Sequence, residues 1–143
     1  MGEIVGLSLA RLNTCHPLIR EIVHEANNIM EMSVLCGVRL KEEQDKAYAD
    51  KKSTLKWPYS KHNLKDKYQK FSHAVDIIPY FLEGKSNYDW RDSLAFSRLA
   101  GVMFAVAHSK GIKIRWGGDW DLDNRSADEH FLDLPHFELL LDD

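Results

Sequence analysis

Residues 74–79 read Ala74-Val75-Asp76-Ile77-Ile78-Pro79, an aliphatic run around a single acid. β-Branched side chains favour a pleated, packed surface, and a proline cannot continue a central ladder. The stretch therefore predicts a buried strand that closes at Pro79. A carboxylate in such a strand needs a partner, because burying an isolated charge is costly. Asp76 is thus either a satisfied buried acid or part of a site. Upstream, Leu18, Ile19, Ile22, Val23, Ala26, Ile29 and Met30 recur at helical spacing after Pro17, which suits a first helical turn. Residues 33–38 are short and β-prone, and residues 41–51 read as a charged surface helix. Residues 52–72 hold Pro58, many lysines and few apolar anchors, which predicts a long loop of the kind that is usually functional or mobile.

Downstream, Asp89 can cap a helix running to about Lys110. Ala95, Leu99, Val102, Met103 and Val106 form one apolar face, and Phe96, Ala100, Phe104 and Ala107 a second, so the helix should be central. Gly111 ends it. Residues 112–116 predict a strand, residues 117–133 a polar loop, and residues 137–141 a last strand. The expected fold is α+β, a small, mainly antiparallel sheet packed against helices in a single domain.

The 143 residues suffice for one core, and 44% hydrophobic with 29% charged residues is ordinary for a soluble protein. A net charge of −3 argues against a nucleic-acid partner. No apolar run approaches ~18 residues, so no membrane insertion is expected. Glu3 stands where a secretory signal needs positive charge, and none is expected. Cys15 and Cys36 are too few for a disulfide framework and read as buried thiols.

Chemistry concentrates in Ser60-Lys61-His62, in Ser72-His73-Ala74-Val75-Asp76, and in Asp133-Leu134-Pro135-His136-Phe137-Glu138. A zinc hydrolase needs about three protein ligands with one open position, plus a carboxylate off the metal to take a proton from water. His62, Asp76 and His136 can supply the ligands and Asp133 the base. On spacing alone, the bland alternative stays open: Asp76 a satisfied acid and His62 a loop residue. His24-Glu25 lacks the second histidine of the helical zinc motif and reads as helix surface. His108 reads as a helix C-terminal residue.

Ser60-x-His62 followed by Ala74-x-Asp76 resembles the Ser-x-His…Ala-x-Asp signature of the D-alanyl-D-alanine carboxypeptidase and dipeptidase family of zinc peptidases. Cys36-Gly37-Val38-Arg39 with Glu43-Gln44, Arg115-Trp116-Gly117-Gly118-Asp119-Trp120, and Asp133-x-Pro135-His136-Phe137-Glu138 extend the resemblance in family order. The tryptophan-glycine run is most similar to the phage L-alanyl-D-glutamate endopeptidase branch. One departure stands out. Asp76 follows His62 by fourteen residues, a longer interval than the family's commoner form, with the extra residues in the polar loop. A loop insertion is tolerable when both ends stay anchored. It leaves His73 as a rival ligand, but on a strand His73 and Asp76 would face opposite sides.

The resemblance implies Zn2+ held by His62, Asp76 and His136, with Asp133 as general base and Arg39 stabilising the oxyanion. It implies that Ser60 bonds substrate or orients its loop, and that Glu138 orients a ligand imidazole. The implied partner is a peptidoglycan stem peptide, cut by a monomeric catalytic domain with no separate wall-binding module. The implied place is the host bacterial cytoplasm, with action on the wall after release. A D-alanyl-D-alanine carboxypeptidase or dipeptidase, and a catalytically silent wall-binding domain, are the competing readings. Separately, Asp119, Asp121 and Asp123, followed by Asp128 and Glu129, resemble the start of a Ca2+-binding loop, although Asn124 stands where such loops want glycine; an acidic, solvated loop with Asp as turn former is the alternative.

Overall fold

The computed structural model describes residues 2–125 and 132–141. Its elements are α1 (Gly6–Leu12), α2 (Pro17–Asn27), β1 (Met32–Cys36), α3 (Lys41–Ala49), β2 (Ala74–Pro79), α4 (Trp90–Ser109), β3 (Ile114–Gly117) and β4 (Asp133–Leu139). The four strands form one antiparallel sheet in the order β1-β2-β4-β3, so the α+β expectation holds. Residues 52–72 carry no helix or strand, and β2 occupies the predicted residues.

Strand alternation sorts the sheet into two faces. Val75 and Ile77 of β2, Phe137 and Leu139 of β4, and Ile114 and Trp116 of β3 join Phe96, Leu99 and Met103 of α4 in the core. The opposite face carries Cys36, Asp76 and His136 in register across β1, β2 and β4, with Arg115 opposite Glu138 across β3 and β4. A bulge at Leu35 brings Cys36 opposite Asp76. Helix α4 starts where Asp89 and Asp92 each accept the other's backbone N–H, at 3.0 and 2.9 Å.

Several boundaries differ from the sequence reading. Helix α2 stops at Asn27 instead of running to Met30 because the Asn27 side chain leaves the helix. It bonds the N–H of Met32 and the carbonyl of Gly2, both at 2.9 Å, and Ile29 is left 58% exposed. Strand β1 begins at Met32 and ends at Cys36, and β3 begins two residues late, at Ile114. Strand β4 begins at Asp133, four residues early, and ends at Leu139. Pro135, which argues against a regular strand, falls where the β3–β4 register is irregular, so its missing N–H breaks no ladder bond. Helix α1 has no counterpart in the sequence pattern; Leu12 is its one buried residue among the seven, too little for a periodic signal.

Candidate metal centre

Loop residues 60–63 are tied to the segment that follows β1. Arg39 N–H donates to the His62 carbonyl at 2.9 Å, and the fully buried Asn63 donates from its amide to the Arg39 carbonyl at 3.0 Å. The buried Ser60 hydroxyl accepts the His62 N–H at 3.2 Å, and Ser60 also lines the cavity described below. The long insertion closes on itself: His73 N–H donates to the Lys61 carbonyl at 2.9 Å, and Gln69 bonds the carbonyls of Asn63 and Phe71. The added residues therefore leave His62 anchored.

His62, Asp76 and His136 converge. His62 Nε2 lies 3.1 Å from Asp76 Oδ1 and 3.2 Å from His136 Nδ1, and His136 Nδ1 lies 3.4 Å from the same Asp76 oxygen. The other imidazole nitrogens face acceptors, His62 Nδ1 the Gly37 carbonyl and His136 Nε2 the Glu138 carboxylate, each at 2.8 Å. A carbonyl or carboxylate only accepts, so both contacts fix the tautomer and leave one nitrogen of each ring for a ligand. Glu138 also takes Arg115 Nη2 at 2.8 Å. Gly37 is required here, since a Cβ would collide with the Thr14 hydroxyl and lie 2.5 Å from the Arg11 carbonyl.

The electrostatics of the site follow from this packing. Burial disfavours the His62 imidazolium, but the Asp76 carboxylate outweighs it and raises the group to about 10. Burial also opposes the Asp76 charge, yet His62 and His136 hold it well below the usual carboxylate range. His136 is raised despite burial, by its bonds to Asp76 and Glu138. Asp133 goes the other way: burial, then the Asp76 charge, push it up to about 6. Its carboxylate lies within 4.8 Å of ligand atoms of Asp76 and His136.

Above the cluster lies a cavity of about 360 Å³ whose lining includes His62, His136, Asp133, Arg39 and Arg115. Arg39 donates to Gln44 at 2.9 Å and to Asp76 Oδ2 at 3.3 Å, so it braces the Asp76 carboxylate as well as facing the cavity. The Trp120 ring stands 5.3 Å from that of His136. These residues make a His/Asp group able to hold a metal ion beside an acid with a raised pKa.

The chain matches the family described as phage L-alanyl-D-glutamate peptidase over residues 3–140. It is 30% identical over 123 residues to the L-alanyl-D-glutamate peptidase of Escherichia phage T5, spanning 84% of this chain and 80% of that protein.

The chain belongs to the phage L-alanyl-D-glutamate peptidase family.

The fold agrees. The crystal structure of Serratia marcescens L-Ala D-Glu endopeptidase ChiX superposes with a TM-score of 0.62 over 93% of this chain and 86% of that one, at 22% identity. Within this family member, His73 does not join the cluster; its ring meets His16 edge-on at 5.5 Å. His24 is exposed on its helix, as expected, and His108 is exposed in the last turn of α4. Cys15 is buried, but Cys36 is only half-buried, and its thiol lies within 4.8 Å of ligand atoms of His62 and Asp76. The local apolar sequence around Cys36 hid that position, because the neighbours that matter are across the sheet.

In the acidic loop, the carboxylates of Asp119, Asp121 and Asp123 converge within 4.8 Å. Asp119 accepts the N–H groups of Asp123 and Asn124 at 3.2 and 2.8 Å, which is how an Asp closes a turn, and Asn124 adopts the left-handed backbone (φ 64°). Asp128 and Glu129 lie outside the described residues, and calcium gains no support beyond the convergence of acids. The sequence pattern assigns no role to Arg115 or Trp120; the β3–β4 register sets Arg115 opposite Glu138, and Trp120, after β3, brings its ring beside His136 and the Arg115 guanidinium.

Proposed function

We propose that this chain is a zinc-dependent endopeptidase that hydrolyses the L-alanyl–D-glutamyl bond of peptidoglycan stem peptides, acting as a phage endolysin. One observation carries the reading. His62 Nε2, Asp76 Oδ1 and His136 Nδ1 form a triangle with sides of 3.1–3.4 Å. A tetrahedral ion with bonds of about 2.0–2.1 Å has ligand separations of about 3.3–3.4 Å, so the donor set fits zinc in spacing as well as in chemistry. The Gly37 carbonyl and Glu138 supply the outer hydrogen bonds that metal-binding histidines use.

His62, Asp76 and His136 would hold the ion. When bound, zinc supplies a Lewis acid that acidifies water towards a pKa of about 7. Asp133 accepts the proton on its carboxylate and returns it to the leaving amine of D-glutamate, the task of a base tuned near the working pH. Arg39 keeps Asp76 in place and offers positive charge to the oxygen of the scissile carbonyl. Ser60 keeps His62 in position. A monomeric catalytic domain over residues 1–143 is part of the proposal. Synthesis in the host cytoplasm and release to the wall belong to the same proposal. No helix among the described residues is long and apolar enough to cross a membrane. Calcium at residues 119–129 is decided by calorimetric titration into zinc-loaded protein; no binding at millimolar calcium removes it.

The test is product analysis. Purified peptidoglycan digested with zinc-loaded protein should yield new amino-terminal D-glutamate. Released D-alanine would favour the carboxypeptidase reading, and binding to the wall without any new ends would favour a silent domain.

A further inference from the structure

We infer that Arg115 forms a carboxylate subsite beside the metal centre and reads the free α-carboxylate of the residue on the leaving side of the scissile bond. The inference rests on the proposed L-alanyl–D-glutamyl activity. In a stem peptide, D-glutamate is joined onward through its side-chain carboxyl. Its α-carboxylate is therefore free, one atom removed from the nitrogen released by cleavage.

Arg115 is placed to meet that group. It pairs with Glu138 across β3 and β4, on the sheet face that carries His136, and lines the same cavity as His62, His136 and Asp133. Its guanidinium is held from two sides. Glu138 Oε2 accepts from Nη2 at 2.8 Å, and the Trp120 ring lies 5.6 Å from Cζ. Its donors are far from used up. A guanidinium has five N–H bonds. Glu138 takes one from Nη2, the Trp120 carbonyl takes one from Nη1 at a long 3.5 Å, and Nε is buried without a hydrogen-bond partner among the described residues, which leaves one N–H on each terminal nitrogen for a ligand. The side chain is 34% exposed, so the fork is held in place yet accessible. A planar fork fixed before substrate arrives suits a carboxylate, which it can bind through two parallel bonds.

The other cations of the cavity are less suited. Arg39 is committed to Asp76 and Gln44 and is 16% exposed. Lys61 is a point charge on a flexible stem.

The experiment compares two synthetic peptides, acetyl-L-alanyl-γ-D-glutamyl-L-lysine and its D-isoglutaminyl counterpart, which differ only in an α-carboxylate against an α-carboxamide. Zinc-loaded wild-type protein should prefer the carboxylate in kcat/KM by at least about tenfold, the low end for a hydrogen bond to a charged group. Arg115→Gln should bring the ratio close to one, mainly through a higher KM for the carboxylate peptide, with zinc content unchanged. Arg115→Lys should restore part of the preference, and Lys61→Gln should keep it whole. A wild type that cuts both peptides equally, an Arg115→Gln variant that keeps the preference, or a Lys61→Gln variant that loses it would overturn the inference while leaving the proposed function standing. A wild type that cuts neither overturns both.

Discussion

Removing the Glu138 carboxylate should weaken the metal site without touching a ligand. Glu138 is 5% exposed, and its two oxygens accept from His136 Nε2 and Arg115 Nη2, each at 2.8 Å. In Glu138→Ala the His136 ring loses the bond that fixes its tautomer, and the Arg115 cation loses its ion-pair partner. A hydrogen bond to a charged group contributes about 1.5–3 kcal/mol. At about 1.4 kcal/mol per factor of ten, that is roughly 10–150-fold in zinc affinity. Loss of an outer partner of a metal-binding histidine typically costs about 10–100-fold, so two independent routes agree. Glu138→Gln keeps an acceptor oxygen but not the charge and should fall near tenfold. Competition for zinc against a chromophoric chelator at neutral pH measures the affinities, with a thermal melt of the metal-free variants to separate loss of fold. Glu138→Ala that binds zinc within twofold of wild type would refute the reasoning that His136 is oriented from behind.

Asp133→Asn should retain zinc and lose about 10²–10⁴-fold in turnover, measured in steady-state kinetics. Because burial and Asp76 raise Asp133 to about 6 without metal, and a bound cation favours the carboxylate, the acid limb of kcat/KM should lie at or below about pH 6 and be absent from the variant's residual activity. In metal-free protein, His62 is raised from 6.5 to about 10, so the stability it contributes is complete below about pH 6.5 and is lost as pH rises through about 10. Zinc binding at pH 7 must then displace that proton, and calorimetry in buffers of different ionisation enthalpy should detect its release; heats independent of the buffer would contradict the pairing. Gly37→Ala should both lower the melting temperature and weaken zinc, since the chain would have to shift the carbonyl that holds His62; an unchanged melt would show that the space is not tight.

Much of this is legible in the sequence because strong local patterns coincide with the elements that matter. The aliphatic run around Asp76 gives β2, and the two apolar faces after Asp89 give α4. The candidate site residues His62, Asp76, Asp133 and His136 stand out in the sequence, and the structure brings them together. What escaped depends on register. Arg115 reaches the cavity because it stands opposite Glu138, and Cys36 nears His62 and Asp76 because a bulge sets it opposite Asp76. Neither pairing is written in local spacing. Pro135 concealed the first half of β4, and with it the fact that Asp133 sits on the strand that carries His136. Helix α1 is too short for periodicity to show.

The central claim is that His62, Asp76 and His136 hold one zinc that is needed to cut the L-alanyl–D-glutamyl bond. Chelator-stripped protein titrated with zinc, with new amino-terminal D-glutamate counted at each step on purified peptidoglycan, tests it most directly. The account predicts no new ends without metal and full activity at one zinc per chain. Cleavage that persists in the stripped protein, or no new D-glutamate ends at saturating zinc, would contradict it.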